Sequence, residues 1–157
     1  ATLVFAWGNP GRGDDALGPL FAERIEALDL PGVECLTDFQ LQVEHALDLR
    51  GRTRLLFVDA ALEPALADAQ QGAPAGFCVR PLAAARDKSF STHSMSPQSL
   101  LHVYETVLGG PAPPAWLLAI RGERFELGEA LSEAAAHNLE QALDWAKLWL
   151  DAGRTPD

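Results

Sequence analysis

The chain has 157 residues, 48% of them hydrophobic, and a formal net charge of -10 with only 12 Lys and Arg. That length suits one domain spanning residues 1–157, with enough apolar side chains to build a core without disulfide staples. The charge balance excludes a nucleic-acid partner, which needs clustered basic residues to displace counterions, and no run approaches the roughly 18 apolar residues of a membrane span.

Thr2 to Trp7 (TLVFAW) is nearly all apolar and stops at the turn cluster Gly8-Asn9-Pro10-Gly11, so it predicts a buried first strand. The opening ATLVFAWGN has no charged leader region and no small-residue cleavage site, and the protein is expected to stay in the cytoplasm. From Ala16 onward Leu17, Leu20, Phe21, Ile25 and Leu28 fall on one helical stripe, and Asp14 and Asp15 ahead of it suit an N-cap and first turn. Val33 to Thr37 predicts a second strand and Val43 to Leu49 a short helix. Arg54 to Asp59 (RLLFVD) predicts a third strand, apolar on both faces.

Ala60 to Ala75, rich in Ala, Gln, Pro and Gly, reads as a long connection. Gly76 to Arg80 predicts a fourth strand, and Pro81 to Met95 an irregular loop. Ser96-Pro97 starts a helix with proline at a favoured first position, and Gly109-Gly110 ends it. Trp116 to Ile120 predicts a fifth strand. A long final helix begins near Ser132, with Leu139, Leu143, Ala146 and Leu150 on one stripe. Fully apolar strands separated by helices mean a sheet covered on both faces, the habit of parallel α/β folds.

Cys35 and Cys78 lie in the apolar runs VECLT and GFCVR and read as buried, reduced core residues. His102 and His137 fall inside predicted helices and read as surface or core side chains. Trp7, Trp116, Trp145 and Trp149 sit at strand and helix positions, which suits packing.

Four polar stretches, GNPGRGDD, TDFQLQVEH, VDA and STHSMSP, each follow a predicted strand. In an open parallel sheet the carboxyl ends share one edge, and ligands bind there. These loops therefore gather Asp14 or Asp15, Asp38, Asp59 and His93, with Gln40, Glu44 and His45 nearby. Each has an ordinary explanation alone: an aspartate caps a helix, a strand-end aspartate holds the next loop, a loop histidine is solvated. Together, two carboxylates and an imidazole make an incomplete shell for a divalent metal, with positions left for substrate or water. The chain has no Gly-x-Ser-x-Gly elbow, His-Glu-x-x-His helix or Walker lysine.

Gly8-Asn9 with Gly13-Asp14-Asp15-Ala16-Leu17-Gly18, Val58-Asp59-Ala60 and His93-Ser94-Met95-Ser96-Pro97 resemble the motifs of the endopeptidases that mature the large subunit of nickel-iron hydrogenases. With the later Gly128 to Leu131-Ser132 segment, the resemblance covers nearly the whole chain. It implies a three-layer α/β/α fold around a twisted, mostly parallel five-stranded sheet. It also implies an aspartate-type endopeptidase that removes a C-terminal extension from the large-subunit precursor after nickel insertion. No tightly bound cofactor is expected, because the nickel is supplied by the substrate and serves as the recognition feature.

The family's metal contacts carry over onto Asp15, where many relatives have glutamate, onto Asp59 and onto His93. Those three and Asp38 are the catalytic candidates. After the second strand many relatives have an Asp-Gly-Gly stretch beginning where Asp38 stands. This chain reads Asp38-Phe39-Gln40-Leu41-Gln42-Val43-Glu44, similar to a branch with His-Gln-Leu-x-x-Glu but with Phe39 in place of the histidine. Gln40 and Glu44 are the candidate substrate contacts.

Two other functions fit parts of the pattern. A noncatalytic nickel-binding chaperone or sensor would show the same three ligands. Gly8-Asn9-Pro10-Gly11-Arg12 also resembles the opening of bacterial peptidyl-tRNA hydrolase, but that family's Tyr and His-Asn pair are missing from the following loop, and an acidic chain suits tRNA poorly.

Overall fold

β1 (Thr2–Trp7) is buried at every position, as its unbroken apolar sequence requires. In this computed structural model, which describes residues 1–62, 76–86 and 95–152, it lies inside a five-stranded sheet. Along the chain follow α1 (Leu17–Ala27), β2 (Val33–Asp38), β3 (Arg54–Ala61), β4 (Phe77–Leu82), α2 (Pro97–Leu108), β5 (Ala115–Arg121) and α3 (Glu133–Ala152). The strand order is β2-β1-β3-β5-β4, parallel except where β4 runs antiparallel to β5 at the edge. Pro81 falls within β4, and an edge strand can hold a residue without an N–H to donate.

Alternation along β1 divides the core in two, since successive side chains point to opposite faces. Val4 and Ala6, with Leu56, Val58, Leu118 and Ile120, pack against Leu17, Phe21 and Ile25 of α1 and Leu139, Leu143 and Leu150 of α3. Leu3, Phe5 and Trp7, with Leu55 and Phe57, pack on the other face against Leu41, Ala46, Leu49 and α2's Leu100, Leu101 and Tyr104. Helical layers thus cover both faces of a mostly parallel sheet, the three-layer α/β arrangement expected.

Several local expectations change. The short helix expected at Val43–Leu49 is present with those bounds, as a 3-10 helix. Asp14 and Asp15 do not cap α1: they occupy a separate 3-10 turn, Gly13–Ala16, and Ala16 stands at the cap position without a side-chain hydrogen bond. β3 runs two residues past Asp59, to Ala61, and β4 extends to Leu82. Cys78 is buried and Cys35 half-buried on the outer strand β2, and neither forms a disulfide. Ser96 caps α2 by accepting the Ser99 N–H at 3.0 Å, and the helix ends at Gly109 with φ 77°, as the Ser-Pro and Gly-Gly signals predict. His93, and the expected connection beyond Leu62, lie outside the described residues.

Candidate functional site

The carboxyl ends of β1, β2 and β3 open on one side of the sheet, and Phe125 from the loop after β5 stands beside them. Together they line an open cavity of about 400 Å³. Trp7, Gly8, Asp15, Asp59 and Ala60 line it from the strand ends, and Phe39, Gln40, Leu62 and Phe125 complete its walls. Its glycine is required by sterics: Gly8 has φ 150°, and a Cβ there would stand 2.1 Å from the carbonyl oxygen of Asp15. The loop carrying Asp15 can therefore fold down against the end of β1 only over a bare backbone.

Asp15 is half-buried, and its Oδ2 accepts the Asn9 N–H at 2.7 Å. Asp59, at the end of β3's apolar run, accepts the Ala60 N–H at 2.8 Å. Desolvation pushes the Asp59 carboxyl up to about 7, the negative charge of Asp15 pushes the same way, and the Ala60 hydrogen bond opposes both too weakly to prevail. Among the described residues, none that lines the cavity is Lys, Arg or His. Two facing carboxylates without a cation are what a divalent metal would neutralise, and their oxygens are suitable donors for one. Among the described residues no third His, Cys, Asp or Glu completes a metal-binding group.

The neighbouring Asp14 is turned the opposite way. It is fully buried, and its Oδ1 accepts the Ser132 N–H at 2.7 Å. Its Oδ2 accepts the Glu123 N–H at 2.6 Å, the Arg124 N–H at 3.0 Å and the Ser132 hydroxyl at 2.7 Å. Burial opposes its ionisation, but the bonds from Ser132, Glu123 and Arg124 together hold it below the usual carboxylate range. Asp14 pins the loop between β5 and α3, and that loop brings Phe125 to the cavity. Ser132 then caps α3 by accepting the Ala135 N–H at 3.1 Å.

Of the residues expected at the rim, Asp15, Asp59 and Gln40 line the cavity. Asp38 does not, although Phe39 and Gln40 beside it do. Its Oδ1 accepts the Phe39 N–H at 2.7 Å, and its Oδ2 lies 3.1 Å from His45 Nε2. Glu44 is exposed in the 3-10 helix and is not a lining residue. Sequence reasoning missed Phe125, Leu62 and the lining role of Trp7. Phe125 could have been found by the rule that picked the other loops, since it follows the carboxyl end of β5.

No family model and no curated protein matches the chain. Solved structures do. [NiFe] hydrogenase maturation protease HycI from Thermococcus kodakarensis KOD1 superposes with TM-score 0.69 at 21% identity, covering 96% of this chain and 92% of its own. Hydrogenase maturating endopeptidase HybD from E. coli superposes with TM-score 0.71 at 20% identity, covering 97% of this chain and 93% of its own. This chain has the hydrogenase maturation protease fold. HybD from Thermococcus kodakarensis agrees, with TM-score 0.66 at 21% identity over 94% of this chain and 97% of its own. Within the hydrogenase maturation protease fold, the cavity here lies where an open α/β sheet binds ligands, outside the carboxyl ends of its strands. None of the described helices is long and apolar enough to cross a membrane.

Proposed function

We propose that this protein is a cytoplasmic endopeptidase that removes a C-terminal extension from the nickel-loaded large-subunit precursor of a nickel-iron hydrogenase. The observation that carries the reading is the pairing of Asp15 with Asp59 on one cavity of a chain with this fold, without a cationic side chain among the described lining residues. Such a site has little to bind until a partner brings a cation. The nickel arrives with the substrate and docks the precursor through Asp15, Asp59 and His93, so affinity depends on whether the metal has been inserted. The protein keeps no metal of its own.

Cleavage needs water to attack the scissile carbonyl and a proton acceptor near neutrality. A carboxyl held at about 7, as Asp59 is, suits proton transfer in the free site. Nickel in the substrate would favour the ionised carboxylates as ligands and would polarise the water or the carbonyl as a Lewis acid. Gln40 offers an amide to the peptide backbone. Asp38 already holds the Phe39 N–H and His45, and we assign it a supporting role.

The test is incubation with nickel-loaded and nickel-free precursors, followed by mass measurement of the products. Loss of a C-terminal fragment from the loaded form alone is expected. Equal cleavage of both forms would refute metal-based recognition. Nickel-dependent binding without cleavage would replace the peptidase with a nickel-binding chaperone or sensor.

A further inference from the structure

Phe39 is 68% exposed, the one Phe, Tyr or Trp among the described residues left open to solvent. An aromatic on a loose loop would be unremarkable, but this one is braced. Its N–H donates to Asp38 Oδ1 at 2.7 Å. His45 Nδ1 accepts the Gln42 N–H at 2.8 Å, which in the neutral ring leaves the proton on Nε2, so Nε2 donates to Asp38 Oδ2 at 3.1 Å. The imidazole packs edge-on against the core ring of Phe5, with centroids 4.6 Å apart. Asp38's carbonyl accepts the Gly8 N–H at 3.1 Å, and Leu41, two residues past Phe39, is 2% exposed. The loop is thus tied to the core on both sides of Phe39, which places the residue at the cavity and lowers the backbone ordering cost at binding.

Leu62, 61% exposed, and Phe125 line the same cavity. The site therefore combines two carboxylates with exposed apolar walls. An occupant that complements both brings a cation and an apolar group together. The volume, about 400 Å³, suits a short stretch of peptide rather than a folded surface.

We infer that Phe39 is a specificity-determining residue, which with Leu62 and Phe125 takes an apolar side chain of the substrate peptide next to the part whose metal Asp15 and Asp59 hold, and that Asp38 and His45 are its positioning residues. This rests on the peptidase reading above. Exposed, preorganised aromatics are the residues that anchor interfaces, because they offer large contact area for few rotatable bonds.

The experiment is steady-state processing of the nickel-loaded large-subunit precursor. Phe39→Ala should raise KM about tenfold, equivalent to about 1.4 kcal/mol, with kcat within about twofold of wild type; Phe39→Leu should recover most of the loss. His45→Phe keeps an aromatic ring beside Phe5 but cannot donate to Asp38, and should raise KM severalfold. His45→Gln, whose amide can still donate, should restore it. Affinity for nickel alone, measured by titration, should be the same in Phe39→Ala and wild type, and melting temperatures of the Phe39 variants should match wild type. An unchanged KM in Phe39→Ala, or a loss confined to kcat, overturns the role of Phe39. Wild-type kinetics in His45→Phe overturns the brace. A wild type that cuts no precursor removes the peptidase reading and this inference with it, whereas an active wild type matched by Phe39→Ala removes only the inference.

Discussion

Asp14 is fully buried and Asp59 half-buried, and their surroundings make opposite use of them. Around Asp14 the chain supplies three backbone N–H groups and a hydroxyl, so the charge is satisfied and held below the usual carboxylate range. Around Asp59 the described residues supply one N–H and a neighbouring carboxylate, and the group is pushed up to about 7. Desolvation opposes ionisation of both, so desolvation alone does not distinguish scaffold from site. The number of donors does: a fully solvated-by-protein carboxylate is finished, while an under-supplied one at an open cavity is ready for a cation or a proton.

The largest effect that could break this contrast is on stability. Asp14→Ala leaves the N–H groups of Glu123, Arg124 and Ser132 without their acceptor and should cost about 3–5 kcal/mol in denaturant unfolding. A loss under about 1 kcal/mol would mean that the loop from Glu123 to Ser132 is not held through Asp14.

Asp59→Asn should do the reverse. A carboxyl whose folded value is raised to about 7 from an ordinary 3.8 contributes stability that is complete below about pH 4 and lost as pH rises through about 7. Asn cannot ionise, so the variant should equal wild type near pH 4 and exceed it by roughly 1–3 kcal/mol at pH 8, discounting for partial exposure. Asp14, lowered instead, contributes stability present above the ordinary carboxylate value and lost as pH falls through its folded value. Unfolding curves across pH 3 to 8, a range of roughly five units around these values, should show the two opposite slopes. An Asp59→Asn variant less stable than wild type at pH 8 would place Asp59 in the scaffold.

Affinity for nickel should follow the proton on Asp59, rising up to about tenfold per pH unit below about 7 and levelling above it, because a protonated carboxyl is a poor ligand. Calorimetric titration of nickel ions into the protein at several pH values measures this, and a flat profile would separate Asp59 from the metal. The smallest effect sharpens the comparison at its other end. Asp15→Glu keeps the charge and should retain processing within a few-fold, whereas Asp15→Asn should lose most of it.

The alternation of apolar strands with helical stripes could be read from the residues because it is a local pattern, and every strand expected among the described residues is present. Single residues with strong backbone preferences were equally legible, as Ser96-Pro97 and Gly109 show at the two ends of α2. The rule that loops after parallel strands share one edge was enough to put Asp15, Asp59 and Gln40 together. What misled was also local. Two aspartates before a helical stripe look like caps, yet Ala16 takes that position and Asp14 faces away.

By itself, then, the sequence determined the fold class, the order of the elements and the set of carboxylates at the sheet's edge, because these follow from hydrophobic periodicity and turn chemistry over a few residues. Only the tertiary structure decided which of Asp14 and Asp15 faces the cavity, since the donors that claim Asp14 lie 109 to 118 residues further along the chain. It also decided that β4 turns antiparallel, that Phe125 reaches the site, and that His45 braces Asp38 beneath Phe39. A carboxylate's charge state and a ring's hydrogen-bond roles depend on distance and solvation, and those quantities exist only once the chain has folded.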